Sequence, residues 1–334
     1  KVVYVNQNRN DLTRVSFSNI STILPKDYNF LQYPKKITGF KSYKLSGIFF
    51  ALLCSLGLGL AVALGRLAFD GGATPLSVAL FRSLLSVAAM GTICIFMGIS
   101  LRLPRSIFIT MLFLGCLFSH MTFGNVGSTK YIPISLAALL FFIYPPVVTI
   151  LNHAIAKEWP SLTKIISISV AFLGLAVMLG VDLKQLDLRG VVIGVTAGIA
   201  CAVNIIWVAR KVPDVHPFII VFYQSAIASL IIGTLAWYLD ELRTPDEIGG
   251  WIGFLLVGVL QTVSIPFFYF AIQRIGSEPT AMINNSQPVA SIVAAILIFN
   301  EGLTVERFIG AIMVIGGILV TQWDDLKNAR KRSY

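Results

Sequence analysis

Asn284, Asn285 and Gln287 share one apolar stretch, and the spacing of Asn284, Gln287 and Ser291 by three and four would set those three on one helix face. Carboxamides donate and accept hydrogen bonds without carrying charge. They suit a neutral or zwitterionic solute, and they equally suit hydrogen bonding between membrane helices, worth about 0.6 kcal/mol each. Other apolar stretches hold Tyr144, His120, the pair Asn204 and Trp207 at i and i+3, Tyr223 beside Gln224, and Gln261 with Tyr269. Arg82 is the one basic residue well inside such a stretch, able to attract a carboxylate or to snorkel outward. No Asp or Glu sits centrally in any of them, so no carboxylate proton relay is visible, and His120 is the embedded group that titrates nearest neutrality. A coupling proton and a counter-substrate both stay open. Few embedded cations argue against a strongly anionic phosphate ligand, which would want several Lys or Arg. Tyr144, Phe142 and Trp207 would receive an apolar or aromatic part of a solute.

The same residues exclude other chemistries. His120, His153 and His216 have no metal-ligand spacing, and neither GxSxG nor HExxH occurs, so no enzyme, metal or other cofactor is expected. A channel would want a charged ring or one continuous polar helix face. Cys54, Cys94, Cys116 and Cys201 are isolated within apolar segments and read as small hydrophobes.

The elements that must position these groups follow from composition. Hydrophobic residues make up 56% of the chain and charged ones 13%, with mean hydropathy +0.80, whereas soluble domains carry about a quarter charged residues. The net charge of +10 lies mostly in the termini and short loops, which points to a membrane surface rather than nucleic acid. Because about 20 apolar residues cross a bilayer as helix, ten spans are predicted near 45–68, 75–98, 106–125, 132–152, 162–181, 188–209, 217–238, 250–272, 277–299 and 305–323. Residues 1–44 form a basic, polar extension, expected to be loosely packed and cytoplasmic, and 324–334 a basic tail. Nineteen Lys and Arg fall on the side of the termini against six on the other, which places both termini in the cytoplasm of a multi-pass cell-membrane protein.

A shift of 143 residues overlays the chain on itself. Gly115 meets Gly258, Pro145 meets Pro288, Glu158 meets Glu301 and Gly174 meets Gly317, while Phe81-Arg82 meets Tyr223-Gln224 at 142. The repeats would be 45–181 and 188–323, each with five spans, so the second must enter from the opposite side. Two inverted five-helix repeats place a solute site near the midplane between them. Pro145, reinforced by Pro146, and Pro288 interrupt the fourth and ninth spans at equivalent depth and act as hinges beside a cavity or as packing kinks. Gly57-Ala61-Gly65 and Gly190-Gly194-Gly198-Ala202 read as close-packing seams on the first and sixth spans, which are repeat equivalents.

The doubled pattern of small residues, a mid-helix proline, a Glu and a hydroxyl residue (Leu136-Ala137-Ala138…Tyr144-Pro145…Glu158…Ser161, then Thr280-Ala281-Met282…Gln287-Pro288…Glu301…Thr304) resembles the EamA family of the drug/metabolite transporter superfamily over roughly 45–323. Lys157 and Asn300 depart from the Gly-Glu that the family favours. The resemblance implies export or exchange of small metabolites, often amino acids. Nucleotide-sugar-like uptake or antiport, and a non-transporting scaffold or sensor, remain the alternatives.

Overall fold

The computed structural model describes residues 2–8, 11–16, 40–180, 187–300 and 302–331, so Glu301 and the 182–186 loop with Lys184 lie outside the described residues. The chain divides into two units, 1–39 and 40–334. In the first, β1 (Val2–Asn8) and β2 (Asp11–Ser16) form an antiparallel hairpin in which Val3 faces Val15 and Val5 faces Thr13. The β-branched residues of both strands favour this extended pairing. The loosely packed extension expected from composition thus contains a strand pair.

From residue 40 onward every regular element is helical among the described residues, and ten helical spans are long and apolar enough to cross a membrane. The first three are α1 (Phe40–Asp70), α2 (Pro75–Phe96) and α3 (Arg105–Gly127). The fourth consists of α4 (Ile134–Phe141) and α5 (Tyr144–Ala156), and the fifth is α6 (Leu162–Leu179). The second repeat follows with α7 (Leu188–Lys211), α8 (Pro217–Tyr238), α9 (Ile248–Ile275), the pair α10 (Ser277–Asn284) and α11 (Gln287–Phe299), and α12 (Val305–Lys331). Helix starts carry local signals: Thr74, Ser161 and Asp187 accept backbone N–H bonds as N-caps, and Pro75 and Pro217 lead α2 and α8.

The fourth and ninth spans break at equivalent places, before Tyr144 and before Gln287. Pro145 and Pro288 are then the second residue of each second half, where the missing N–H and the ring prevent continuation of the preceding turn. Pro266 lies inside α9 without dividing it. The repeat also explains the two departures from Gly-Glu. Lys157 (φ 56°) and Asn300 (φ 55°) close α5 and α11 in the left-handed region, where glycine carries no Cβ penalty. Lys157→Gly is therefore expected to raise stability by about 1 kcal/mol, read as a higher thermal midpoint in detergent, with a smaller gain for Asn300→Gly.

Packing pairs repeat as an inverted duplication requires. The first span packs on the eighth as the sixth does on the third, and the second packs on the seventh and the fifth on the tenth. The α6–α12 seam is self-complementary: a Cβ on Gly174 would lie 2.5 Å from Met313 Cβ and 3.0 Å from Val314 N, and one on Gly317 would lie 2.8 Å from Ala171 Cβ and 2.6 Å from Ser167 O. Residues 167 and 171 are the counterparts of 310 and 314, so each side does to the other what is done to it, the mark of a two-fold relation.

The two small-residue seams pack on different partners. Gly57 faces Ser264 and Gly65 faces Val257 of α9, whereas Gly190, Gly194 and Gly198 face the fourth span and the turn before it. The first-span counterpart of the latter stripe is Gly47, Ala51, Ser55 and Gly59. Gly59 abuts the Gln287 carbonyl, and the Ser55 hydroxyl donates to the Ile283 carbonyl at 3.3 Å. Each break is thus cradled by small residues of the first or sixth span.

Candidate functional site

Between the two breaks lies a polar centre within an apolar bundle. Asn284, the last residue of α10, joins three spans. Its Oδ1 accepts from the Ser55 hydroxyl (3.1 Å), while its Nδ2 donates to the Tyr144 hydroxyl (3.0 Å) and to Gln287 Oε1 (3.4 Å). Phe141 and Phe142 pack on Tyr144 with ring centres 5.8 and 5.9 Å away. A second network is centred on Tyr269. Its hydroxyl approaches Gln224 Oε1 and Asn204 Oδ1, and Asn204 Nδ2 donates to the Leu114 carbonyl at 3.1 Å. Cys54 and Cys201, both buried, neighbour both tyrosines and so place the two networks about one centre.

This centre is under-satisfied. Gln224 is wholly buried and Asn285 is 6% exposed, yet Gln224 Nε2 and Asn285 Oδ1 have no protein partner. Turning the Gln224 amide over would only exchange which of its atoms is orphaned. An unpaired buried amide group costs about 1–3 kcal/mol. Neutral carboxamides and phenols with a spare donor and a spare acceptor can hydrogen-bond a guest but supply no ionic charge. No resident metal or cofactor is indicated by these residues, and among the described residues no group of three His, Cys, Asp or Glu could hold a metal ion.

Asn284, Gln287 and Tyr144 are brought together in one network and Asn204 and Tyr269 in the other. Pro145, Pro146 and Pro288 stand at the two helix breaks, and Asn285 follows Asn284 with its own side chain buried. The other candidates join neither network. Arg82 and Gln261 pair with each other at 2.7 Å, next to the Ser86–Thr262 hydroxyl pair and about two helical turns along α9 from Tyr269. Tyr223 donates to the Leu101 carbonyl at 2.8 Å and ties the loop between α2 and α3, while its neighbour Gln224 enters the centre. His120 is exposed on a stripe with Ile109, Leu112 and Phe113, and its counterpart Val263 lies on the matching exposed stripe of α9. Trp207 is 38% exposed and packs on Phe113 at 5.4 Å, turned away from Asn204. Trp207→Ala and His120→Ala are accordingly expected to leave solute flux within about twofold of the parent, since neither contacts the centre, and a tenfold loss in either would return that residue to the site. Cys54 and Cys201 read in the sequence as small hydrophobes, and the signal for Ser55 is the 143 shift that sets it opposite Gly198.

A family model, the EamA-like transporter family, matches residues 45–180 and again 188–323. The chain belongs to the EamA-like transporter family. Each match covers one five-span copy, so this EamA-family chain is a multi-pass membrane protein built from two copies of one unit, and it spans about three fifths of the length of the curated relative it matches. It is 25% identical over 203 residues to "Uncharacterized transporter sll1319" of Synechocystis sp., covering 59% of this chain and 61% of that one. A solved structure, "Crystal structure of protein", superimposes with a TM-score of 0.70 at 16% identity over 85% of this chain and 98% of the other, which establishes likeness of fold alone.

Proposed function

We propose that this EamA-family chain moves a small neutral or zwitterionic metabolite, an amino acid or close relative, across the cytoplasmic membrane by alternating access, as export or exchange, with both termini in the cytoplasm. The observation that carries the reading is the orphaned carboxamide of the buried Gln224 on Tyr269, together with the Tyr144–Asn284 contact at the breaks of the fourth and ninth spans, where the Asn285 amide is also buried with an unpartnered oxygen. Each break presents the start of one half-helix and the end of another, so partial positive and negative charges face mid-span without any ionised side chain. A zwitterion is accommodated by such dipoles; a multiply charged phosphate is not. The guest satisfies the spare donor and acceptor, and rocking of one repeat against the other exposes it to alternate sides.

The test is a thermal-shift screen of the purified protein against amino acids, nucleosides, sugars and sugar phosphates, followed by uptake of each stabilising solute into proteoliposomes. Stabilisation and uptake confined to neutral or zwitterionic solutes is the expected result. Stabilisation by sugar phosphates alone would reject the substrate class.

A further inference from the structure

The repeat relation exposes an asymmetry between the two ends of the α6–α12 seam. At the end where α6 begins, Lys164 Nζ lies 2.9 Å from Glu278 Oε1, with the side chains only 8% and 14% exposed. Around them the Ser161 hydroxyl donates to Asp324 Oδ2 at 2.5 Å, Gln322 Nε2 reaches the Pro279 carbonyl at 3.5 Å, and Asn152 Nδ2 donates to the Ser277 hydroxyl at 2.9 Å. Three of these four contacts end on α10, the eight-residue half-helix whose other end carries Asn284. A cluster at the edge of the bundle is thus joined to the central site through one short rigid element.

The opposite end holds the counterparts of three of these residues, Ser161, Lys164 and Gln322, together with those of Thr149 and Thr321. The 143 shift carries Ser161 to Thr304, Lys164 to Arg307, Thr149 to Ile292, Thr321 to Met178 and Gln322 to Leu179. These five counterparts line a crevice of about 340 Å³. Glu278 and Asp324 correspond in sequence to Ser135 and Val181, and the acid that lines the crevice is instead Glu306, next to Arg307. One architecture therefore stands sealed by an ion pair at one end and open as a crevice at the other.

We propose that Lys164 and Glu278 form the latch that holds shut the end of the bundle at which α1 begins, and that opening this end separates the pair and swings α10 while the crevice at the opposite end closes. The inference rests on the alternating-access reading above. Two charges taken out of water are held together only while the geometry stays good, and water entering an opened end rehydrates both. The pair is therefore a two-state contact of the kind that a moving element can make and break.

The full chain is tested in vesicles of defined orientation, in a Cys94→Ala/Cys116→Ala background that leaves Cys54 and Cys201 beside the centre. The readout is their rate of reaction with a membrane-impermeant sulfonated maleimide added from each side. Glu278→Gln and Lys164→Gln are expected to raise the rate from the latch side about tenfold and to lower it from the other side. The exchanged pair, Lys164→Glu with Glu278→Lys, is expected to return both rates towards the parent. Lys164→Met with Glu278→Met gains nothing from hydration on opening, and is expected to slow latch-side labelling at least threefold. Rates unchanged in every variant, or raised equally from both sides, overturn the latch. Solute flux is measured in the same vesicles. Latch-dependent labelling without flux rejects the transport reading while supporting the latch, and flux with latch-independent labelling rejects the latch alone.

Discussion

Gly317→Ala is expected to destabilise the bundle by about 2–3 kcal/mol, while Gly316→Ala, one residue earlier, is expected to stabilise it by up to about 1 kcal/mol. A Cβ on Gly317 would lie 2.6 Å from the Ser167 carbonyl and 3.1 Å from Ala171 N, whereas one on Gly316 meets nothing within 4 Å. Backbone atoms cannot turn aside as a flexible side-chain tip can, so α6 and α12 must move apart and lose dispersion contact along the whole seam. By the two-fold relation Gly174→Ala, which would set a Cβ 2.9 Å from the Gly310 carbonyl, behaves like Gly317→Ala. Thermal midpoints and monodisperse yields in detergent read the effect. Equal midpoints for the Gly316 and Gly317 variants would remove the seam as a determinant of the fold.

The second large effect is on transport, and its diagnostic feature is a difference in sign. Gln224→Leu replaces a wholly buried amide that has one orphaned atom, so it is expected to leave stability unchanged or raise it by about 1 kcal/mol. The same change removes a ligand of the solute and is expected to lower flux at least tenfold. Asn284→Ala removes the junction of Ser55, Tyr144 and Gln287 and is expected to cost about 1–2 kcal/mol at roughly 0.6 kcal/mol per hydrogen bond, with a similar loss of flux. A purely structural role for Gln224 would tie flux to stability. Function at the expense of stability is instead the pattern of a binding site.

Span number, the inverted repeat and the two hinge positions were legible in the sequence because each depends on position along the chain: apolar length sets depth, and proline stops a helix wherever it stands. Rotation of each helix about its axis was less legible. Asn204 and Trp207 are three residues apart, yet one is buried in the centre and the other lies on an outer face, because α3 packs between them. Tyr223 and Gln224 are adjacent candidates, yet the phenol ties a loop and the amide alone enters the site. Lys164 and Glu278 stand at the first turns of their predicted spans, and only the meeting of α6 with α10 makes them a buried pair. The stripe Gly47-Ala51-Ser55-Gly59 escaped because two of its four members are not glycine, although the 143 shift identifies it.

The central claim is that solute passes through the Tyr144–Asn284–Gln224 centre by alternating access. Counterflow tests it most directly: proteoliposomes loaded with a stabilising unlabelled solute are diluted into a trace of the labelled one. Transient accumulation above equilibrium is predicted for the wild type and for Trp207→Ala, with at least tenfold less in Gln224→Leu at unchanged thermal midpoint. Overshoot of equal size in Gln224→Leu and the wild type, or none with any solute that raises the midpoint, would contradict the account.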